Sequence, residues 1–589
     1  MTVFELFKSI LGTEKEPYKH QKELWKEMEN LAKEGGLIFL KAPTASGKTE
    51  AAILPFIFES YDDWSLGARL IYVLPNHSLI HSQSERINSW LKRINSNLEV
   101  IIDHGSTGAV KPMLHGDIVL TTLDAFIYGY AALRTFHRRL NFPSGNIATS
   151  MLIFDEVQMY QDETEYTPWL LSKMLSFLSS AGIPIIVMTA TMPNLLEDMI
   201  RSEIKNGNIK EIIGEKSVRG KVKINLSLSE RIKNFIEKCI NQHGPLDLRK
   251  LSDSREKVLI VCNTVSKAKL IIDKIKKVLP TDQVLLLHSR FVVKDRRERE
   301  KMIESRRIIV ATQIVEAGLD LERVKYMITE IAPVDALIQR IGRVARRKEE
   351  EGQVYIVGVE DPSPYPSKLI ESTEKEIDEK ILEEAIINLM DSQALVDSVY
   401  SKYLKEAREE RLSEAIKSVK DDDKKKKKVK DLLKVSNDFL PILSEDAINA
   451  TTYFKGLSIF AQPPEVELKV RPERYVTLVV SKELATLVHE KLKQSETYDV
   501  SNHISPIVLD DISLNIPVRL ISKYKDKKKH LSDALLKLND RIVELYYDRD
   551  REASRGYWKV KTSEDVRSYH TYLVETSFYE EDGLVNLWK

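Results

Sequence analysis

The stretch Ala42-Pro43-Thr44-Ala45-Ser46-Gly47-Lys48-Thr49 restricts what this chain can fold into more than any other. It follows the apolar run Leu37-Ile38-Phe39-Leu40 and opens into Glu50-Ala51-Ala52-Ile53-Leu54, which reads as helix. Strand, tight loop and helix in that order make a phosphate cradle. Successive backbone N–H groups and the helix N-terminus face one point, and small residues let the backbone approach an anion. Thr44, Ser46 and Gly47 form the cradle. Lys48 is placed to reach the outer phosphates of a nucleotide, and the Thr49 hydroxyl to hold Mg²⁺. Ala42 and Ala45 stand where glycines are common in such loops, so negative φ is expected at both, because alanine at positive φ is strained. The competing reading is an ordinary strand–turn–helix that contains a lysine.

A cradle of this kind needs a sheet behind it. Short apolar runs at 70–74, 98–102, 117–120, 151–154 and 183–188 alternate with helical stretches, the pattern of a parallel sheet covered on both faces. Ligands of such sheets bind beyond the carboxyl ends of the strands. After the fourth run comes Asp155-Glu156-Val157-Gln158, where Asp155 would hold Mg²⁺ and Glu156 would orient and deprotonate a water. Paired acids after a strand are otherwise a solvated turn. The next run ends in Thr189-Ala190-Thr191, hydroxyls suited to coupling phosphate state to domain movement. Pro75, Asn76, His104, Gly105, Thr121 and Thr122 close other strands and are candidate contacts to a single-stranded sugar–phosphate backbone.

The pattern restarts after about residue 217, with apolar runs at 258–261, 284–287, 308–310, 326–328 and 354–357 and no second cradle. This half carries Leu287-His288-Ser289-Arg290-Phe291, the run from Ala311 and Thr312 to Gly318 and Asp320, and Gln339-Arg340-Ile341-Gly342-Arg343-Val344-Ala345-Arg346. Gln339, Arg343 and Arg346 recur at i, i+4 and i+7, one face of a helix. Two guanidiniums carried toward a phosphate held by the other half would act as arginine fingers, worth about 10³- to 10⁵-fold in rate in related systems. A basic solvated helix is the alternative, disfavoured by Gly342.

These segments, with Asp155-Glu156-Val157-Gln158 and Glu330-Ile331-Ala332-Pro333, resemble superfamily 2 helicases and, among them, the type I CRISPR-associated helicase. The resemblance covers roughly residues 15–360, with a weaker echo at Tyr579–Val585. It implies an α/β fold of two tandem RecA-like parallel-sheet domains with ATP and Mg²⁺ between them, a helical linker and a C-terminal α+β accessory domain. It also implies that Gln21 reads adenine, Asp320 contacts ribose, and Thr312, with His288, Ser289 and Arg290, contacts DNA. By the same likeness the chain is a single-stranded-DNA-stimulated ATPase moving 3′ to 5′ on R-loops made by a CRISPR surveillance (Cascade-like) complex. The sequence has no His-Asp dipeptide and its motor starts near the N-terminus, so it looks like the helicase-only form, with cutting left to a separate His-Asp nuclease subunit. A cellular RNA or DNA-repair helicase, or an ATP-gated clamp that does not unwind, would need the same ATP site.

Length and composition bound the rest. A chain of 589 residues exceeds one core, and the expected division is 1–217, 218–365, a charged helical linker at 366–435 and an accessory domain at 436–589. Lys+Arg and Asp+Glu both total 89, so any nucleic-acid surface is a local patch. Two cysteines without metal-ligand spacing, no leader and no apolar run of membrane length predict a soluble cytoplasmic protein without membrane partners. In the tail, the run Lys420–Lys428 reads as a solvated helix or linker. Lys523–Lys529, Tyr557 and Trp558 are basic and aromatic enough to stack on single strands, although such aromatics are more often core.

Overall fold

In the strand that precedes the cradle, Leu37 and Phe39 enter one core while Ile38 and Leu40 enter another. Apolar on both faces, such a strand must be covered on both sides, which favours a parallel sheet between two helical layers. The computed structural model describes residues 2–43, 46–59, 66–104, 113–131, 133, 142–160, 165–204, 209–214, 219–252, 254–316 and 321–418. Within the C-terminal part it describes 475–493, 497–500, 511–517, 535–538, 541–548, 557–563, 571–574, 577, 579 and 581–584.

Strands β1 (Gly36–Lys41), β2 (Arg69–Leu74), β3 (Val100–Asp103), β4 (Ile118–Thr122), β5 (Ser150–Phe154), β6 (Pro184–Thr189) and β7 (Ile209–Ile213) pair in parallel in the order β3-β4-β2-β5-β6-β1-β7. β6 lies between β1 and β5, with Lys41 opposite Thr189 and Phe154 opposite Val187. The cradle, the acid pair and the hydroxyl loop therefore leave the sheet side by side.

A second parallel sheet follows. β8 (Lys221–Arg231), β9 (Lys257–Val261), β10 (Val284–Leu287), β11 (Ile308–Ala311), β12 (Val324–Glu330) and β13 (Glu351–Gly358) lie in the order β10-β11-β9-β12-β13-β8. Leu259, Leu285 and Ile309 face one core, Val258, Leu286 and Val310 the other. The start of the expected linker is not a free-standing tether. Helices Ser367–Glu376, Glu379–Ala385 and the first half of Leu389–Ser418 bury Leu369, Leu382, Val396, Val399 and Leu404 in the second domain's core. Their charged faces hid that apolar stripe in a composition-based reading, and residues 419–474 lie outside the described ones.

The C-terminal part is a mixed sheet, in the order Thr497–Asp499, Tyr557–Ser563, Arg541–Asp548, Thr571–Leu573, Tyr475–Val479, Ser513–Pro517. Lys537–Leu538 pairs with Arg541–Asp548. Thr571–Leu573 runs parallel to Tyr475–Val479 and the other pairs are antiparallel. Among the described residues no helix is long and apolar enough to cross a membrane.

Candidate nucleotide and nucleic-acid site

Helix Lys48–Glu59 starts directly at the loop, so its positive dipole end faces the cradle. The buried Lys48 ammonium donates to the carbonyls of Ala42 (2.8 Å) and Pro43 (3.1 Å). Gly47 sits at φ +78°, and a Cβ there would come within 2.4 Å of Gln21 Nε2, so only glycine fits. Gln21 is buried, donating from Nε2 to Gly47 O (2.8 Å) and accepting at Oε1 from the Tyr18 N–H (2.8 Å). His20 Nε2 meets Ser46 O at 3.0 Å. The helix Lys19–Glu34 thus braces the cradle from outside. Ala42 is absent from the described positive-φ residues, as its side chain requires. Thr44, Ala45, Gly105, Gly318 and Asp320 lie outside the described residues.

Asp155 leaves β5 beside the cradle. Its Oδ1 accepts from the Glu156 N–H (2.9 Å) and its Oδ2 from the Tyr72 hydroxyl (2.5 Å). Burial, and then the neighbouring Glu156 carboxylate, push Asp155 up to about 7, against the pull of Tyr72 and the Lys48 ammonium. Burial, then the Asp155 charge, raises the Tyr72 hydroxyl well above its ordinary value, and Thr49 beside it counters part of that rise, so Tyr72 sits between the two residues expected to hold the metal. Sequence reasoning missed it; the signal was one tyrosine in an otherwise aliphatic buried strand. A buried carboxyl that a nearby dication would keep ionised, next to a threonine hydroxyl, fits Mg²⁺.

Glu156 is held at φ +49°, a conformation costly for a residue with a side chain. Gln158 Nε2 donates to Glu156 Oε2 (2.5 Å), Thr189 Oγ1 donates to Gln158 Oε1 (2.6 Å), and the Thr191 N–H donates back to Thr189 Oγ1 (3.0 Å). The acid pair and the Thr189-Ala190-Thr191 loop are one hydrogen-bonded unit.

The second domain corrects the helical-face argument. Helix Val334–Ile341 ends at Ile341, Gly342 caps it and Ala345 turns left-handed at φ +48°. Gln339 is therefore on the helix, whereas Arg343 and Arg346 lie on the loop after it. Arg343 Nη2 donates to Glu316 O (2.5 Å). Arg340 is fully buried. Its Nε donates to Glu316 Oε1 (2.8 Å), Nη1 to Asn263 Oδ1, Thr329 Oγ1 and Glu330 O (3.0–3.1 Å), and Nη2 to the Tyr365 hydroxyl (3.0 Å). Gln339 and Gln158 line one cavity of about 240 Å³ between the domains, with Glu165, Asp335, Tyr365 and Tyr400.

Most candidate nucleic-acid side chains are not surface groups. Pro75, His104, Thr121, Thr122, His288 and Thr312 are buried. Thr122 Oγ1 caps helix Leu123–Tyr130 by accepting from the Ala125 N–H (3.3 Å), and Asn76 Oδ1 caps His77–Arg93 by accepting from the Leu79 N–H (2.9 Å). His104 stacks on His77 with ring centroids 4.1 Å apart. His288 accepts at Nδ1 from the Arg290 N–H (3.1 Å) and donates from Nε2 to Asp582 O (3.0 Å). Burial, then Arg290, holds the His288 ring neutral well below its ordinary range. Its cover is the C-terminal segment. Asp582 pairs with Lys269 and Lys276, the Tyr579 hydroxyl donates to Asp295 Oδ2 (2.6 Å), and the Leu584 N–H donates to Arg290 O (3.1 Å). Of the candidates, Ser289 is exposed, and Asn76 and Arg290 are half-buried. Lys523–Lys529 and the side chains of Tyr557 and Trp558 lie outside the described residues.

A family model described as DEAD/DEAH box helicase matches residues 18–199, and one described as CRISPR-associated nuclease/helicase Cas3, C-terminal, matches residues 254–349. The chain is 29% identical over 475 residues to the CRISPR-associated helicase Cas3 of Thermoproteus tenax, covering 77% of this chain and 74% of that relative. It is 26% identical over 373 residues to the CRISPR-associated endonuclease/helicase Cas3 of Escherichia coli, covering 53% of this chain but only 41% of the relative. The crystal structure of T. fusca Cas3 with ATP superposes with a TM-score of 0.58 at 19% identity, over 89% of this chain and 66% of that one, a likeness of fold.

Proposed function

This chain is a Cas3-type superfamily 2 helicase, and from that premise we propose an ATP-driven motor that moves 3′ to 5′ along single-stranded DNA at CRISPR R-loops. The observation that carries the reading is the shared cavity. Gln158, bonded to Glu156, lines it from the first domain, and Gln339, ahead of Arg343 and Arg346, lines it from the second. In this reading Lys48 and the cradle hold the triphosphate of ATP, and Gln21 closes the base side. Thr49 and Asp155 hold Mg²⁺, which when bound neutralises phosphate charge. Glu156, at φ +49° and with its carboxylate bonded by Gln158, orients the attacking water. Arg343 and Arg346 stabilise the transition state when the cleft closes, and reopening advances the strand.

The likeness to CRISPR-associated helicases supports an R-loop as substrate and a Cascade-like complex as recruiter, which leaves target choice to base pairing. In this reading a separate nuclease subunit does the cutting. The test is ATP hydrolysis without nucleic acid, with single-stranded DNA and with single-stranded RNA, using Glu156→Gln as blank. DNA stimulation well above RNA stimulation, followed by displacement of a 3′-tailed duplex, is the expected result. RNA stimulation equal to or above that by DNA would point to a cellular RNA helicase, and turnover without displacement to a clamp.

A further inference from the structure

The 30-residue helix Leu389–Ser418 touches both motor domains, and it does so with side chains at helical spacing. One side of it is rooted in the second domain, where Leu395, Val396, Val399 and Tyr403 join the core. From the same helix Gln393 reaches the first domain. Its Oε1 accepts from the Met192 N–H (2.9 Å), and its Nε2 donates to the Met192 carbonyl. One turn on, Asp397 Oδ1 accepts from the Asn194 N–H (2.7 Å), at the start of helix Asn194–Glu203. Gln393 Nε2 also donates to Asp397 Oδ2 (3.1 Å). A further turn on, the Tyr400 hydroxyl donates to Asp335 Oδ1 (2.9 Å), on the helix that carries Gln339.

Met192 follows directly on Thr191, whose N–H bonds Thr189, whose hydroxyl bonds Gln158, whose amide bonds Glu156. A continuous path of hydrogen bonds and one peptide bond therefore runs from the expected water-orienting carboxylate to a helix fixed in the other domain. A primary amide that takes both the N–H and the C=O of one residue fixes the position and the orientation of that peptide, as a neighbouring strand would. Any displacement of the Thr189–Met192 loop must then move the helix or break the pair.

We propose that Gln393 and Asp397 are positioning residues that couple the nucleotide state at Glu156 to movement of the second motor domain. The inference rests on the motor reading above and names the element that transmits the stroke. Gln393→Ala removes both bonds. Gln393→Glu keeps an acceptor for the Met192 N–H but sets a carboxylate against the Met192 carbonyl. Tyr400→Phe removes only the contact to Asp335.

The experiment measures DNA-stimulated ATP hydrolysis, strand displacement and thermal midpoint in parallel for the full chain and these variants. It adds the distance between labels at Lys33→Cys and Lys250→Cys, with and without a non-hydrolysable ATP analogue. Both positions are exposed, and the native Cys239 and Cys262 are buried. Coupling predicts that Gln393→Ala and Gln393→Glu keep hydrolysis while displacement falls at least tenfold, and that the analogue-driven distance change shrinks. Adding Tyr400→Phe to Gln393→Ala should deepen the defect by less than the two single effects combined, because both act through one helix. Unchanged displacement, or hydrolysis and displacement falling in proportion with the thermal midpoint, overturns the proposal. The label distance needs no strand displacement. A parent chain that closes on the analogue without displacing a strand refutes the motor reading while the coupling is still decided by Gln393→Ala.

Discussion

Arg340→Met is the sharpest test of how the second domain is held together. Arg340 is 0% exposed, and each of its three nitrogens is bonded to Glu316, Asn263, Thr329, Glu330 or Tyr365. Methionine keeps much of the volume and removes the charge. The Glu316 carboxylate then stays buried without its partner, a situation that costs about 3–5 kcal/mol. Set against a domain stability of roughly 5–15 kcal/mol, that loss makes the second domain marginal. Burial already raises Glu316 above its ordinary value, and Arg340 is the main group opposing the rise. Without Arg340 the carboxyl goes higher still. A raised carboxyl keeps its proton in the folded state after the unfolded chain has lost it, so it lowers stability as pH rises through that window. The Arg340→Met defect should therefore widen from pH 5 to pH 8, and Glu316→Gln added to it should restore part of the loss. Hydrogen exchange of peptides from β9 and β12 reads this domain alone, which a whole-chain melting curve would not. A loss below about 1 kcal/mol, or a double variant no more stable than Arg340→Met, would refute the buried-pair argument.

Other outcomes follow from the same contacts. His288 is held neutral, so stability should fall as pH drops below its unfolded value, by about 1.4 kcal/mol one unit lower. The cause is burial, then the Arg290 charge beside the ring, and a proton on Nδ1 also removes the acceptor of the Arg290 N–H; exchange of segment 579–584 against pH checks it, and His288→Gln should abolish the slope. Asp582→Lys sets three positive charges together with Lys269 and Lys276, and limited proteolysis should then cut segment 579–584 about tenfold faster or more. Arg343→Ala and Arg346→Ala should keep ATP affinity while hydrolysis falls by about 10³ or more, read by nucleotide titration beside single-turnover rates. Lost affinity with an unchanged rate would contradict the finger role.

The sheets, and the neighbourhood of cradle, acids and hydroxyl loop, were legible because each depends on local pattern. Apolar runs such as Leu37–Leu40 state their own burial on both faces, and Gly47-Lys48-Thr49 states its own turn. Residue type did not convey which polar groups are buried. Arg340, His288, Thr121 and Thr312 are polar and buried, and their partners come from segments up to about 300 residues away in the chain. The spacing of Gln339, Arg343 and Arg346 matched a helix, yet Gly342 and the left-handed Ala345 end it, because a cap decides where a periodic pattern stops counting. The same spacing at Gln393, Asp397 and Tyr400 is a real helical face, inside a stretch whose charge reads as a helical linker.

Periodicity alone thus treated the two segments alike, and only their contacts separate them. Arg343 and Arg346 sit past a helix end, on a turn that Arg219 holds by donating to Ile341 O and Val344 O and that the Gly220 N–H holds by donating to Ala345 O. Gln393, Asp397 and Tyr400 sit on a helix whose apolar side is fixed in the second domain's core. A motor of this kind needs both behaviours: fingers that reposition on the nucleotide, and a rigid member that carries the resulting movement across the cleft. The loop suits the first task because its backbone is tied to the second domain and travels with it, and the helix suits the second because its core side cannot yield without unpacking.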